Sequence, residues 1–344
     1  MQAWVLVRTG KPATAFERQE KPDPQPGAGQ VQIAVEAFGL NFADVMARRG
    51  LYRDAPPRPS ILGYEVVGRV SKLGEQVSEL TEGQRVVAFT RFGGYATKTV
   101  ADARVCAPLP EDMDAATATA LATQACTAHF AGEEMVRMRP GDHVLIHAAA
   151  GGVGHLLVQL AKHRGAVVFG TAGSPAKLDF LKKLGVDHPI NYRTENFAEV
   201  VQQQLGEVRK LDVVFDSIGG RTFRQSRQLL GAGGRIVTYG MAERAGKTGG
   251  FFRTLLTLWR FGWPHPIMLL ANCQAILGVN MLRLADYRPD LLQRSLRGVI
   301  ELAEQGVVEP QLGEVFPADK LASAHELLES RTSMGKIAIK WPEH

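Results

Sequence analysis

The stretch His143–Gly165, HVLIHAAAGGVGHLLVQLAKHRG, limits the folds open to this chain more than any other. Val144, Leu145 and Ile146 form a short apolar run suited to a buried parallel strand. Small residues fill Ala148 to Gly154, and beyond them Leu156, Leu157, Leu160 and Ala161 recur at helical spacing. Strand, small-residue turn and helix is the layout that holds a dinucleotide pyrophosphate. Small side chains let the backbone approach the phosphates, and the helix N-terminus offers unpaired N–H groups and the positive end of a dipole. The same turn also occurs without a ligand, and Ala149 stands where the first Gly of G-x-G-x-x-G would be. The motif therefore needs support from the elements around it.

That support comes from alternation. From about residue 121, strand and helix signals take turns: Val167–Thr171, His188–Asn191, Asp212–Asp216, Arg235–Gly240 and Ala275–Asn280 are further strands. Ser174–Leu184 is a helix, with Ser174 as N-cap, Pro175 at the first position and Gly185 just past the end. The pattern predicts an α/β fold with a doubly wound parallel sheet, right-handed crossovers and a ligand at the carboxyl ends of the strands. Residues 1 to about 120 instead read as strands and turns, with Val31–Gly39, Glu65–Gly74 and Gln84–Thr90 rich in β-branched residues and prolines clustered at 22–26 and 56–59. The tail, with helices at Leu291–Gln305 and Asp319–Ser330 and a strand at Lys336–Trp341, has too few pieces for a third domain. The expected organisation is a β-rich domain over 1–121, completed by 281–344, and a nucleotide-binding domain over 122–280.

A chain of 344 residues with 45% hydrophobic and 22% charged residues has room for two cores. The formal charge of +5 is scattered, and the local cluster Arg48, Arg49, Arg53 and Arg58 lacks interleaved aromatics, which argues against nucleic acid as a partner. Cys106, Cys126 and Cys273 are odd in number and form no C-x-x-C, so neither a disulfide framework nor a structural zinc site is supported, and a reducing cytoplasm fits. MQAWVLVRTGKP carries no signal-peptide pattern, and no apolar run is long enough to span a bilayer. The insert from Gly249 to Gln274 places Phe251, Phe252, Leu255, Leu256 and Trp259 on one helical face. Packing on a neighbouring domain or subunit explains this face, and so does peripheral contact with a membrane.

Two clusters carry the candidate chemistry. Where NAD-specific sites place an acid for the ribose 2′-hydroxyl, the second strand here ends FGTAGSPAK, with no acid before Asp179. Ser174 and Lys177 can contact a 2′-phosphate by hydrogen bond and by charge, with Arg193 adding to them, which favours NADP over NAD. Tyr192 can flank the adenine or simply pack. In GLNFADVMARRGLY, Asn41 can bond near the nicotinamide ribose or a substrate carbonyl, and Tyr52 can donate a proton or orient an oxygen. Asp44 reads as a helix cap and Glu65 as a structural residue opening a strand.

With these residues in view, the chain resembles the medium-chain dehydrogenase/reductase superfamily, and within it the zinc-lacking quinone oxidoreductases. GLNFADVMARRGLY, ILGYEVVGRV and AAAGGVG carry that likeness. NFADVMARRGLY, TRFGGYA, GVDHPINYR and the aromatic insert ending in GVNM are similar to the synaptic-vesicle VAT-1-like branch. The resemblance implies NADPH held between a Rossmann domain and a GroES-like β domain, with Asn41, Tyr52, Thr127, Gly151, Gly152, Val153, Gly154, Ser174, Lys177, Tyr192, Asn280 and Lys336 on the cofactor side. Ala150, Thr171, Ser217, Tyr239, Gly240 and Gly278, in the turn and at strand ends, complete the expected set. In TQACTAHF, His129 stands where relatives usually carry an aromatic. The zinc-dependent alcohol dehydrogenases use a Cys at or near Gly39 and a His in G-H-E. Here the second motif reads Gly63, Tyr64, Glu65, so no catalytic metal is expected. The expected activity is hydride transfer from NADPH to a quinone or an α,β-unsaturated carbonyl, acceptors electron-poor enough to need no Lewis acid, with Asn41 and Tyr52 as the catalytic candidates. The alternative is an NADPH-binding protein acting through a membrane or partner surface. A homodimer through the sixth strand is the expected assembly.

Overall fold

The apolar runs of the alternating half pair into one six-stranded sheet in the order His188–Asn191, Val167–Ala172, His143–Ile146, Leu211–Asp216, Leu230–Thr238, Ala275–Gly278. All neighbouring pairs are parallel. Numbered within the sheet, the order is 3-2-1-4-5-6, so strand order reverses beside His143–Ile146, the position at which doubly wound sheets bind ligands. The structure is a computed structural model and describes all residues except 207, 209, 243–261, 263–264 and 343–344.

The sequence pattern explains this sheet. His143–Ile146 is buried along its whole length, as its unbroken apolar run requires of a strand covered on both faces. The helix Gly154–His163 buries Leu156, Leu157, Val158, Leu160 and Ala161, each Leu contributing roughly 1.5–3 kcal/mol. Leu145, Phe169, Ile190, Val214 and Ile236 from five strands pack with Phe197, Val201 and Phe223 from flanking helices into one core. The helix Pro175–Lys183 starts at the Ser174 cap with Pro at its first position and is followed by Gly185 at φ +79°. The strand expected at Arg235–Gly240 begins earlier, at Leu230, because Leu230 pairs with Leu211 across a register shift.

The chain folds as two compact units: residues 127–280 with 307–309, and residues 1–126 with 281–306 and 310–344. The division at Cys126/Thr127 falls inside a helical run. α-Helices Ala115–Ala120 and Cys126–His129 alternate there with π-helical turns Leu121–Ala125 and Phe130–Met135.

The second of these units is built on a seven-stranded sheet. Six strands run Leu312–Pro317, Lys336–Lys340, Gln30–Leu40, Glu65–Leu73, Arg85–Phe89, Cys106–Pro108, and Lys98–Asp102 pairs with Gln30–Leu40 off this path. A smaller sheet joins Phe16–Glu20, Gln2–Leu6 and Ser60–Ile61. The tail strand Lys336–Lys340 lies antiparallel to Gln30–Leu40, which brings Lys336 to the end of that strand beside Leu40. Ile337 and Ile339 enter the core with Ile33, Phe38 and Val66. The Leu312–Pro317 strand and the helix Met281–Tyr287 carry no clear sequence signal.

The aromatic face expected in the insert, Phe251, Phe252, Leu255, Leu256 and Trp259, lies wholly outside the described residues. The described part of the insert, helix Pro266–Asn272, buries none of its residues and exposes Ile267, Met268 and Leu270. No helix among the described residues is long and apolar enough to cross a membrane.

Candidate active site

The turn after His143–Ile146 is held from below. Ala148 takes a positive φ of 50°, and its N–H donates to the Thr171 hydroxyl at 3.2 Å. Ala149 N–H donates to the Thr171 carbonyl at 3.0 Å, and Gly151 N–H returns to the Ala148 carbonyl at 2.9 Å. Gly154 opens the helix, and a Cβ there would stand 2.3 Å from the Ala148 carbonyl oxygen and 2.8 Å from Ala149 Cα. Only glycine lets strand and helix approach this closely, which is the role of the last glycine of the dinucleotide fingerprint. Ala149 is itself fully buried, so the place of the missing first glycine is filled by packing. The helix N-cap is Val153, which offers no capping side chain, and no acid lies in the first turn. By contrast, the helices starting at Ala115, Pro175 and Phe197 are capped by Asp114, Ser174 and Asn196. An uncapped helix N-terminus behind half-exposed Gly151, Gly152 and Val153 suits a pyrophosphate.

The neighbouring strand ends beside a cationic pair. Ser174 Oγ accepts the Lys177 N–H at 3.4 Å. Lys177 is half-buried; burial, and then the positive charge of Arg193, lowers the basicity of its amine. Repulsion between Lys177 and Arg193 is the electrostatic state that an added dianion relieves. Tyr192 lies across Gly173, where a Cβ would stand 2.5 Å from the Tyr192 hydroxyl, and the tyrosine is half exposed. Thr171 is buried, and its hydroxyl braces Ala148. Ser217 and Gly240 touch, since a Cβ on Gly240 would lie 2.8 Å from the Ser217 carbonyl oxygen. Tyr239 donates its N–H to the Asp216 carbonyl at 3.0 Å, and burial pushes its phenol up. Gly278 and Asn280 are exposed at the end of the sixth strand. Thr127 is buried on the helix Cys126–His129, together with His129.

A buried ionic cluster occupies the β-rich unit. Asn41 caps the helix Phe42–Arg48, and its N–H donates to Asp44 Oδ2 at 2.8 Å. Its side chain donates from Nδ2 to Glu65 Oε1 at 2.8 Å and accepts Lys336 Nζ on Oδ1 at 3.3 Å. Lys336 and Glu65 form an ion pair with neither side chain exposed, and Lys336 also donates to the Leu40 carbonyl at 3.3 Å. The other Glu65 oxygen accepts the Thr123 N–H at 2.9 Å. A Cβ on Gly39 would stand 2.3 Å from both Glu65 Oε1 and Lys336 Cε, so this glycine makes room for the pair. The π-helical turn Leu121–Ala125 aims Thr123 and Gln124 at the cluster, with Gln124 Nε2 3.5 Å from Asn41 Oδ1. Asp44 is fully buried, and its carboxyl is pushed up to about 7, chiefly by burial.

Tyr52 lies just beyond the helix and packs edge-on to Tyr64, with ring centroids 6.4 Å apart. Burial, followed by the negative charge of Asp54, pushes its phenol up to about 12, which makes it a weaker acid than a free tyrosine. Asn41, Glu65 and Lys336 thus come together. The pairing of Glu65 with Lys336 has no local signal, because 271 positions separate them in sequence. Among the described residues no group of three or more His, Cys, Asp or Glu stands together, and both Glu65 oxygens are already engaged.

Known proteins are similar to this chain in sequence and in fold. The alcohol dehydrogenase GroES-like domain family matches residues 27–111, and the zinc-binding dehydrogenase family matches residues 152–265. The synaptic vesicle membrane protein VAT-1 homolog of Rattus norvegicus is 35% identical over 92% of this chain and 78% of its own. A 2-haloacrylate reductase of Burkholderia sp is 30% identical over 98% of each chain. The crystal structure of Escherichia coli quinone oxidoreductase complexed with NADPH is 28% identical, with a TM-score of 0.84 over 99% of this chain and 100% of that one. The chain belongs to the medium-chain dehydrogenase/reductase superfamily, in its quinone oxidoreductase and VAT-1-like family. It is an oxidoreductase of that class, with a Rossmann sheet and a GroES-like β-rich part.

Proposed function

We propose that the protein reduces quinones or α,β-unsaturated carbonyls with NADPH and without zinc. NADPH is the cofactor. The observation that carries its choice over NADH is the end of the second strand, where the positive charge of Arg193 reaches Lys177 beside the Ser174 cap. We assign the pyrophosphate to Ala150, Gly151, Gly152, Val153 and Gly154, and the remaining cofactor contacts to Thr127, Tyr192, Ser217, Tyr239, Gly240, Gly278 and Asn280. Thr171 and Lys336 act through their neighbours, Ala148 and Asn41.

The bound nicotinamide supplies a hydride. The chain aligns the acceptor and offers hydrogen bonds where charge grows on its oxygen. Tyr52 offers a phenol O–H for that role, and Asn41 has its amide fixed by Glu65 and Lys336. Zinc independence is supported by the donor chemistry: the carboxylate of the G-x-E motif is neutralised by a buried ammonium, and Tyr64 replaces the histidine. Electron-poor acceptors fit such a site, since they accept hydride without a Lewis acid.

A second copy is proposed to dock on Pro266–Asn272 and on Ala275–Gly278, the last strand of the sheet among the described residues, where Ile267, Met268 and Leu270 are exposed. Three free cysteines suit a reducing, cytoplasmic setting. The test is an oxidation screen of NADPH and NADH against ortho- and para-quinones and enones. NADPH preference that falls in Lys177→Ala supports the reading. Preference for NADH refutes the cofactor assignment, and silence with every acceptor favours a chain that binds NADPH and acts through a surface.

A further inference from the structure

The phosphate turn rests on a buried histidine that the reaction does not use. His147 immediately follows the first strand and is almost fully buried. Its N–H donates to the Phe215 carbonyl at 3.0 Å, tying it to the fourth strand. Its ring spans two hydroxyls, with Nδ1 3.2 Å from Thr171 Oγ1 and Nε2 2.7 Å from Ser226 Oγ. Phe197 meets the ring edge-on at 4.8 Å. Thr171 Oγ1 in turn accepts the Ala148 N–H at 3.2 Å, and Ala148 is the residue held at φ +50°. A left-handed alanine is strained, and such a conformation persists only where its surroundings fix it.

We infer that His147, Thr171 and Ser226 form a positioning relay that locks the strained Ala148 and so presets the pyrophosphate-binding turn. The relay links the first strand, the second strand and the helix Gly220–Gln228 through one ring. A neutral imidazole has one N–H and one lone pair, so the chain of hydrogen bonds closes in either tautomer. Burial keeps the ring neutral, depressing its pKa to about 3, so the lock does not open at physiological pH. No aliphatic side chain can bond at both ends, and an amide can bond at only one. His147 is thus a positioning residue for the cofactor, acting through Thr171 and Ala148.

The inference rests on the assignment of the turn to NADPH, and the test separates the two. NADPH affinity is measured by fluorescence titration, with thermal midpoints in parallel, for His147→Asn, His147→Gln, Thr171→Ser and Thr171→Val. Asn places its amide at the position of Nδ1 and keeps the Thr171 bond; Gln places it at Nε2 and keeps only Ser226. The expected result is an NADPH Kd raised about five- to tenfold in His147→Gln and Thr171→Val, the loss of roughly one buried hydrogen bond. His147→Asn and Thr171→Ser stay within about threefold of the parent. If Kd follows only the loss of thermal stability, with Asn and Gln alike and Ser and Val alike, the relay is structural packing and the inference is overturned. If the histidine variants do not fold, the Ser/Val pair decides by itself. A parent protein that fails to bind NADPH refutes the cofactor assignment instead.

Discussion

Replacing Lys336 by methionine tests the buried ionic cluster. Methionine roughly keeps the length and apolar bulk of the stem but removes the ammonium. Three bonds vanish, to Glu65, to Asn41 Oδ1 and to the Leu40 carbonyl. Glu65 keeps two N–H donors, Asn41 Nδ2 at 2.8 Å and Thr123 at 2.9 Å, but its charge is left buried without a counter-ion. Breaking a buried pair from one side costs about 3–5 kcal/mol, far more than removing both charges together. Lys336→Met should therefore lose about 3–5 kcal/mol, Glu65→Gln a similar amount, and the double variant should recover most of either loss. Urea unfolding followed by tryptophan fluorescence, to which Trp4 and buried Trp341 contribute, gives the four free energies of the cycle. A single-variant loss below about 1 kcal/mol, or additive single losses in the double variant, refutes the reasoning.

Three further outcomes are expected. Asp44 keeps its proton in the folded state up to about pH 7, whereas a free carboxyl releases it near 3.8, so its contribution to stability declines as pH rises through that window and is level above it. Asp44→Asn should remove this slope of at most about 1.4 kcal/mol per pH unit; buried His147, His155 and His325, with depressed pKa values, act in the opposite sense in both proteins, so the difference between paired denaturation curves isolates Asp44. Gly154→Ala places a Cβ against backbone atoms that cannot swing away, and should raise the NADPH KM by about tenfold or more; an unchanged KM contradicts the close approach. Leu270→Glu puts a charge on the exposed Pro266–Asn272 helix and should shift a dimer to monomer in light scattering after size exclusion, while a parent that is already monomeric removes the docking proposal.

Much of this molecule can be read from local pattern. The first strand, its turn, the capped helix at Pro175 and the third strand all follow from periodicity and from residues with one strong preference, such as Ser174, Pro175 and Gly185. Asp44 is not the N-cap itself: Asn41 holds that place, and Asp44, three residues on, accepts its N–H in a capping box. Less legible is whatever depends on partners distant in sequence. Glu65 looks like the start of a strand, and only the return of the tail strand beside Gln30–Leu40 places Lys336 against it. Thr171 looks like a ligand contact at a strand end, yet its hydroxyl faces the inside of the turn, because His147 and Ala148 reach it there. Nothing local in TQACTAHF marks Thr123 and Gln124 as partners of this cluster, and the π-helical turn that aims them has no reliable composition. The Leu312–Pro317 strand, LGEVFP, is mostly exposed and shows no alternation of buried and exposed positions, so it is set by its pairing with Lys336–Lys340 rather than by its own pattern.

The proposed reaction is hydride transfer from NADPH to an electron-poor acceptor by a site whose fixed cation is Lys336 rather than zinc. Its most direct test is a single-turnover measurement of NADPH oxidation by a quinone or enone, using protein dialysed against a strong chelator with its metal content determined. Full turnover at far below one metal per chain is the predicted result. Activity that disappears with the chelator and returns with zinc would contradict the account.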